Sequence, residues 1–326
     1  MDITALIPKR SLVPGSIFLV LLIALALVPP LAPDFWTVRL STILMFVILA
    51  VSWTMFSGPT GYMSLASAAF FGVGIYTAAF LGKDLPLPVF IIIGGLASFI
   101  VALLVGALTL RLRGIYFAIF TFGLVVLIQQ LLGFWELHAM GTRGRFVIVI
   151  DYDTIFYTFL IILVLLMLTA YLIRHSKYGL ALQSIGENEE AAAHTGINVT
   201  MVKVITFAIS AFFMGAAGAI WATKLYYVDP GIAFDPLLSF MPVLMAIFGG
   251  MGQFYGPIIG ATFFTLLKEY LTTTLAKYGI VELYMLIFGV VLVVAILFMP
   301  NGVGGLIQRL VQKWRKGGSV EQHADT

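Results

Sequence analysis

The chain has 326 residues, of which 61% are hydrophobic and 10% are charged, and its formal net charge is +3. A soluble domain carries about 25% charged residues, so this composition and a mean hydropathy of +1.07 exclude an ordinary soluble fold. The lack of cysteine excludes disulfides and thiolate chemistry, and no interleaving of basic and aromatic residues points to nucleic acid.

Apolar segments follow one another along nearly the whole chain. A spanning helix needs about 20 residues, and because a helix satisfies its own backbone hydrogen bonds in lipid, the segments predict helices. Apolar residues are continuous in these segments, whereas they alternate with polar residues in the strands of a transmembrane barrel. The predicted fold is all-α, a polytopic transmembrane bundle of about ten spanning helices. The ten segments are 14–31, 38–56, 63–81, 86–110, 115–134, 154–173, 201–223, 237–250, 255–275 and 282–299.

The first segment resembles a signal peptide in one respect, because Lys9 and Arg10 precede it. Pro29, Pro30 and Pro33 follow it without a small-x-small cleavage site. We therefore expect a retained first helix rather than a cleaved leader.

Lysine and arginine are distributed unevenly between the loops, which predicts orientation. The bias puts both termini in the cytoplasm, with a tail at 1–13, a transmembrane domain at 14–300 that includes a cytoplasmic loop at 174–200, and a basic tail at 301–326. The loop 135–153 is then outside. The expected cytoplasmic cations are Lys9, Arg10, Arg111, Arg113, Arg174, Lys177, Lys203, Arg309, Lys313, Arg315 and Lys316.

Small residues interrupt the apolar pattern at 58–61 and at 249–252. Non-helical backbone at membrane depth is tolerated only inside a protein or beside a wet cavity, and broken helices in both halves are typical of transport sites. Two interpretations stay open here: re-entrant segments, or simple cytoplasmic turns. Gly215, Gly218 and the Gly256–Gly260 pair instead predict close helix packing.

Several kinds of catalytic and binding site are missing from the sequence. It has no G-x-x-x-x-G-K-[ST] phosphate loop, no G-x-S-x-G and no H-E-x-x-H. Its four histidines have no partner at metal-ligand spacing. We therefore expect no catalytic residue, no metal site and no cofactor in this chain.

Lys268 and Glu269 are the charged residues well inside a predicted span. Adjacent residues point about 100° apart on a helix, so the two make a poor ion pair. Either both lie near the outer end of their helix and reach water, or Glu269 faces a transport path and meets a cationic group or another helix.

The longest polar interval between spans is 174–200. Asn188 can cap a short helix over about 188–195, Glu189 and Glu190 suit its first turn, and Gly196 suits its end. A helix of about 12 Å is unstable alone in water. Either it docks in a cleft of the membrane domain or a partner, or the interval is a solvated loop with one helical turn.

The stretch 189–199 resembles the EAA loop of ABC-importer permeases. Its sequence most resembles that of the branched-chain amino-acid (LIV-type) permease family, in its LivM-like branch. Four further stretches agree in the family's order: 61–78, 111–122, 249–261 and 298–306. Family members often have Gly-Gln-x-Ser-Leu-Gly-His in the first of these, where this chain has Tyr62 for the Gln and Ala66-Ser67 for the Gly-His.

The resemblance implies a non-enzymatic permease subunit in a bacterial inner membrane. Its implied partners are a second, LivH-like permease subunit, two ATPase subunits that bind ATP and Mg²⁺, and an extracytoplasmic substrate-binding protein. The loop 174–200, hereafter the coupling loop, would dock into the ATPase. Its expected ATPase-coupling residues are Glu187, Glu189, Glu190, Ala191, Ala192 and Gly196.

The expected cargo is a branched-chain or related hydrophobic amino acid, with urea or short amides as the alternative because the first motif departs from the family pattern. A secondary carrier or channel is a second hypothesis, and it needs a charge network inside the membrane. A membrane-embedded enzyme is a third, and it needs a clustered acid, base or metal set. Candidates for the translocation path are Ser64, Ser67 and Glu269.

Overall fold

A computed structural model describes residues 24–112, 114–251 and 255–278, with a few isolated positions beside them. Within these ranges the chain is almost entirely helical, and one short antiparallel pair joins β1 (Arg145–Phe146) to β2 (Tyr227–Val228). The helices are α1 (Val28–Leu31), α2 (Asp34–Thr60), α3 (Ser67–Leu81), α4 (Leu87–Thr109), α5 (Ile115–Met140), α6 (Tyr152–Arg174), α7 (Lys177–Glu187), α8 (Glu189–His194), α9 (Val199–Ala222), α10 (Pro230–Ala233), α11 (Leu237–Gly249) and α12 (Gly256–Ala276).

Six stretches of the described residues are long and apolar enough to cross a membrane: α2, α4, α5, α6, α9 and the interval Pro230–Gly249. An all-α, polytopic membrane protein is thereby confirmed. Half of the expected segment 14–31 and most of 282–299 lie outside the described residues, as do the tail 1–13 and all of the tail 301–326 except residue 302, with the cations of both tails. The total of about ten spans and the cytoplasmic termini therefore stay predictions.

Helix α2 is the centre of the bundle. It packs against α6, α9, α11 and α12, and an unbroken run of its side chains from Ile43 to Val51 is buried. A helix that is apolar on every side is stable only when neighbours cover all of it. Helix α9 forms a second centre, against α3 and α4.

Glycines bring α3, α4 and α9 into backbone contact. A Cβ on Gly74 would overlap the carbonyl oxygen of Gly215, and a Cβ on Gly218 would overlap that of Phe71. The Ser98 hydroxyl donates a hydrogen bond of 2.9 Å to the Phe70 carbonyl across the same interface. Small residues permit such approach in lipid, where burial of apolar surface gives no drive for association. The close packing expected at Gly215 and Gly218 is confirmed.

Gly215→Ala is expected to lower the free energy of unfolding by about 1–3 kcal/mol, because the new Cβ would meet the Ser98 side chain and lie 2.7 Å from the Gly94 carbonyl oxygen. The matched control is Gly123→Ala on α5, where a Cβ has nothing within 4 Å and where alanine favours a helix by about 0.5–1 kcal/mol. Thermal unfolding of the detergent-solubilised variants measures both. Equal unfolding temperatures for the two variants would contradict this packing.

Candidate functional site

The predicted helix of the coupling loop is present as α8. The Asn188 side chain accepts hydrogen bonds of 3.0 Å from the backbone N–H groups of Glu190 and Ala191, which are among the donors that a helix start leaves unpaired. Gly196 has φ +88° directly after the helix, a conformation that suits glycine and few other residues. The expected cap, helix and stop are confirmed, with helix bounds one residue inside the predicted ones.

The sequence analysis missed α7, which precedes α8. Its cap is Ser176, whose hydroxyl accepts a hydrogen bond of 3.3 Å from the Gly179 N–H. Leu182 and Ile185 are buried, and a Cβ on Gly186 would overlap the Pro59 carbonyl oxygen of α2. Two features of the sequence indicated this helix: the serine at its cap, and apolar residues that lie three positions apart. The coupling loop is therefore seated on the C-terminal end of α2.

A small apolar cluster holds α8 in place. Ala192 is 3% exposed and packs with Ile185 of α7 and Val199 of α9, and Ile197 borders the same cluster. This packing explains why so short a helix is stable here, since isolated helices of this length are unstable in water. Of the six expected coupling residues, Ala192 is buried and Glu189 is half-buried. The exposed four are Glu187, Glu190, Ala191 and Gly196.

Behind α8 lies a buried ion pair that the sequence analysis also missed. The Lys203 ammonium lies 2.8 Å from Glu189 Oε1 and donates hydrogen bonds of 3.0 Å to Tyr62 Oη and to the Leu110 carbonyl oxygen. The Lys203 side chain is 1% exposed and that of Glu189 is 23% exposed. Lys203 was expected among the cytoplasmic loop cations, whereas its side chain is buried and joins α8 to the bundle.

The chain after α2 turns back into the bundle as residues 61–66, hereafter the return segment. Gly61 has φ +71°, and the Trp53 indole N–H donates a hydrogen bond of 2.7 Å to the Ser64 carbonyl oxygen. Trp53 lies two helical turns before the end of α2, so the return segment runs about 10 Å back along that helix. The Gly58-Pro59 pair is thus inside α2, and the break follows it. Of the second interrupted stretch, residues 252–254 lie outside the described residues.

Helix α3 consequently starts in the interior, and side-chain hydroxyls satisfy the backbone N–H groups around its start. Leu65 N–H donates to Thr121 Oγ1 at 3.0 Å, and Ala68 N–H donates to Ser239 Oγ at 3.2 Å. Unpaired donors at a buried helix start are costly. Hydroxyls from α5 and α11 therefore hold α3 at its start.

A cavity of about 10 Å³ lies beside the start of α3, between α2 and α9. Ser57, Ser64, Ser67 and Ser210 contribute to its lining, and within the described part of the chain the hydroxyls of Ser57 and Ser67 are buried without a hydrogen-bond partner. Five apolar side chains complete the lining, and a space of this size holds about one water molecule. The structure therefore brings together two of the three predicted path residues, Ser64 and Ser67.

The third predicted path residue, Glu269, lies elsewhere. Its Oε2 accepts a hydrogen bond of 2.8 Å from Arg39 Nε at the N-terminal end of α2. Burial lowers the pKa of the nearby Lys224 ammonium to about 8, and the Glu269 carboxylate opposes that shift. Glu269 thus has a partner on another helix of this chain, and its place in a transport path stays a prediction.

Glu269→Gln is expected to cost less than about 1 kcal/mol of stability and to change uptake less than threefold. Both partners of the ion pair are partly exposed, at 23% for Arg39 and 34% for Glu269, and such pairs contribute little. Thermal unfolding and uptake by the assembled transporter measure the two effects. A tenfold loss of uptake at unchanged stability would instead put the carboxylate on the transport path.

Two cavities of about 300 Å³ each flank the coupling loop. One lies between α2, α6 and α7, with an apolar floor and Arg174, Gln183 and Glu187 in its lining. The other lies beside Tyr62 and residues 185–189. The coupling loop therefore contacts the bundle at a few defined points rather than over a solid interface.

A metal site needs several ligating side chains close together, and the described ranges of the chain can be compared with that requirement. In those ranges no three His, Asp or Glu side chains come together in a way that could hold a metal ion. The lack of a catalytic, metal or cofactor site in this chain stays a prediction.

Comparison with known proteins places this architecture in a family. Residues 38–296 match the family described as branched-chain amino acid transport system / permease component. The chain belongs to this permease family. The resemblance noted in the sequence is thereby confirmed, and the relatives are transport permeases rather than enzymes. The chain is thus a multi-pass membrane permease.

Individual relatives differ in how much of the permease they match. The high-affinity branched-chain amino acid transport system permease protein LivM of Escherichia coli K12 is 26% identical over 90% of this chain and 76% of its own length. The ribose import permease protein RbsC of the same organism is 26% identical over 40% of this chain and 41% of its own length. The xylose transport system permease protein XylH of Haemophilus influenzae is 30% identical over 39% and 35%. No solved structure matches the permease.

Proposed function

We propose that this permease is the membrane-spanning subunit of an ATP-binding-cassette importer for branched-chain or related hydrophobic amino acids in a bacterial inner membrane. The observation that carries the proposal is α8, a capped acidic helix whose outer face is exposed while Ala192 anchors its inner face. The partners are two ATPase subunits that bind ATP and Mg²⁺, a second, LivH-like permease subunit, and an extracytoplasmic substrate-binding protein.

The exposed face of α8 suits docking into an ATPase groove. Glu187 and Glu190 are exposed beside the small residues Ala191 and Gly196, so a partner can approach the backbone closely and offer cations to the two acids. The N-terminal end of the helix dipole favours this acidic face. Docking here couples ATP binding to the membrane helices only if α8 binds the ATPase differently in its two states.

The interior contact between the return segment and α3 supports a transport path there. The lining of a small cavity at the start of α3 includes Ser57 and Ser67, whose buried hydroxyls have no hydrogen-bond partner among the described residues. A lining of serine and apolar side chains without charged groups is compatible with a zwitterionic cargo, because no fixed counter-charge would hold it there. Selection of the cargo then belongs mainly to the binding protein.

The cargo is proposed by analogy with LivM of Escherichia coli K12, a branched-chain amino acid permease that matches 90% of this chain. The alternative of urea or short amides depends on three departures in the first motif. One of these, Tyr62, donates a hydrogen bond of 2.6 Å to Glu189, so a contact within the chain accounts for this departure. Ala66 and Ser67 are the departures that still favour the alternative.

Reconstitution tests the function directly. The permease, its second permease subunit and the two ATPases are placed in liposomes with the binding protein outside, and uptake of radiolabelled leucine, urea and acetamide is compared. We expect leucine uptake that needs ATP and stops with a hydrolysis-deficient ATPase. Leucine uptake by the permease alone, driven by an ion gradient, would contradict the proposal, and preferential urea uptake would select the alternative cargo.

A further inference from the structure

We propose that Lys203 transmits movement of α8 to the return segment, and through it to the hydroxyl-lined cavity at the start of α3. This inference deepens the proposed function and depends on it, because it assigns a positioning role within ATP-driven transport. The residues involved are Glu189 on α8, Lys203 on α9 and Tyr62 in the return segment.

The contacts of Lys203 are complete. An ammonium group has three N–H donors and no acceptor, and here the three acceptors are Glu189 Oε1 at 2.8 Å, Tyr62 Oη at 3.0 Å and the Leu110 carbonyl oxygen at 3.0 Å. These acceptors come from three different segments of the chain. A single side chain that is 1% exposed thus ties α8, the return segment and the end of α4 to α9.

The network closes on itself through Tyr62. Its hydroxyl donates a hydrogen bond of 2.6 Å to Glu189 Oε2, so the two carboxylate oxygens of one α8 residue hold both Lys203 and Tyr62. The Lys203 ammonium also lies 4.4 Å from the centre of the Tyr62 ring, within cation–π range. Tyr62 and Lys203 therefore form one unit with the α8 carboxylate.

Burial makes this unit move as a whole. If α8 shifted alone, the Lys203 ammonium would lose its counter-charge in an apolar interior, and an uncompensated buried charge is strongly disfavoured. The favoured response is that Lys203 and Tyr62 follow Glu189. Tyr62 lies two residues before Ser64, whose side chain lines the cavity and whose carbonyl oxygen is fixed by Trp53. Displacement of α8 therefore reaches the start of α3.

The two charges differ in how well the structure tolerates their loss. In Lys203→Met the Glu189 carboxylate keeps the hydrogen bond from Tyr62 and is 23% exposed to water, so the fold and the outer face of α8 are expected to persist. In Glu189→Gln the buried ammonium keeps an oxygen acceptor but loses its counter-charge, so this variant is expected to be less stable. Combining both changes is expected to restore stability, because no buried charge is then left unpaired.

The test measures ATP hydrolysed per leucine imported in the reconstituted transporter. We expect Lys203→Met to keep ATPase binding and ATP hydrolysis within twofold of wild type while uptake falls at least tenfold. Lys203→Arg, which keeps the charge, is expected to recover part of the uptake. The matched control is Lys83→Met, at an exposed lysine between α3 and α4 and outside the coupling loop, which should change neither quantity.

Three outcomes would overturn the relay: an unchanged ratio in Lys203→Met, equal effects at Lys203 and Lys83, or loss of ATPase binding in Lys203→Met, which would show that Lys203 only anchors α8. If Lys203→Met does not fold, Tyr62→Phe replaces it, since it removes only the hydroxyl links. That variant should lose at least threefold in uptake with ATP hydrolysis retained, and full uptake would overturn the proposal. Absence of ATP-dependent uptake in the wild-type transporter would instead refute the proposed function.

Discussion

Replacing Glu190 with lysine is expected to abolish ATP-dependent uptake while the permease still folds and inserts. Glu190 is exposed in the first turn of α8, where the helix dipole favours a negative charge by about 0.3–1 kcal/mol and disfavours a positive one. The lysine would also present the wrong charge to the ATPase groove. We expect the affinity for the ATPase subunits to fall at least tenfold, about 1.4 kcal/mol, as measured by pull-down and titration.

The matched control is Asp84→Lys, the same change of charge at an exposed site between α3 and α4. It should leave ATPase affinity unchanged. Gly196→Pro is a companion variant, because proline cannot adopt the φ of +88° found there, and it should weaken binding by altering the end of α8. Equal ATPase affinities for Glu190→Lys and Asp84→Lys would rule out docking at this face.

Filling the cavity at the start of α3 is expected to block transport without affecting ATPase binding. Ser67 is 1% exposed, and its hydroxyl faces a space of about 10 Å³. Ser67→Leu would occupy that space and force the surrounding helices to shift, at a cost of about 1–3 kcal/mol. We expect uptake to fall at least tenfold, and Ser67→Ala, which removes only the hydroxyl, to reduce it about threefold.

Thr77→Leu is the control for Ser67→Leu because it makes a similar enlargement at a half-buried position of the same helix. It should retain uptake within twofold. Thermal unfolding and ATPase pull-down confirm that each variant is folded and assembled. Normal uptake by a folded Ser67→Leu variant would show that cargo does not pass the start of α3.

Local signals in the sequence predicted much of the fold. The cap at Asn188 and the stop at Gly196 depend on residues within one turn, so they could be identified without any tertiary information. The same holds for the long apolar runs and for the small residues that allow α9 to pack closely. The predicted segment 63–81 ended at the correct residue but began four residues early, because residues 64–66 are buried or half-buried in the return segment without being helical.

The buried charges could not be predicted in this way. Lys203 followed a polar loop in sequence and was assigned to it, because its partners Tyr62 and Glu189 lie 141 and 14 residues away. Glu136 was placed in an outside loop, yet it is 1% exposed and accepts a hydrogen bond of 2.9 Å from Gly144 N–H. A buried charge is stable only when other groups of the folded chain supply its partners, and the apolar periodicity carries no information about which groups those are.

The account depends most on α8 facing the cytoplasm as the docking point for the ATPases. Because the chain has no cysteine, a Glu190→Cys variant carries one thiol that a membrane-impermeant maleimide can label specifically, with Asp84→Cys as the opposite-face control. We predict labelling of the Glu190→Cys variant in inside-out but not right-side-out vesicles, and protection when the ATPase subunits are bound. Labelling from the outside, or labelling that the ATPases leave unchanged, would contradict the account.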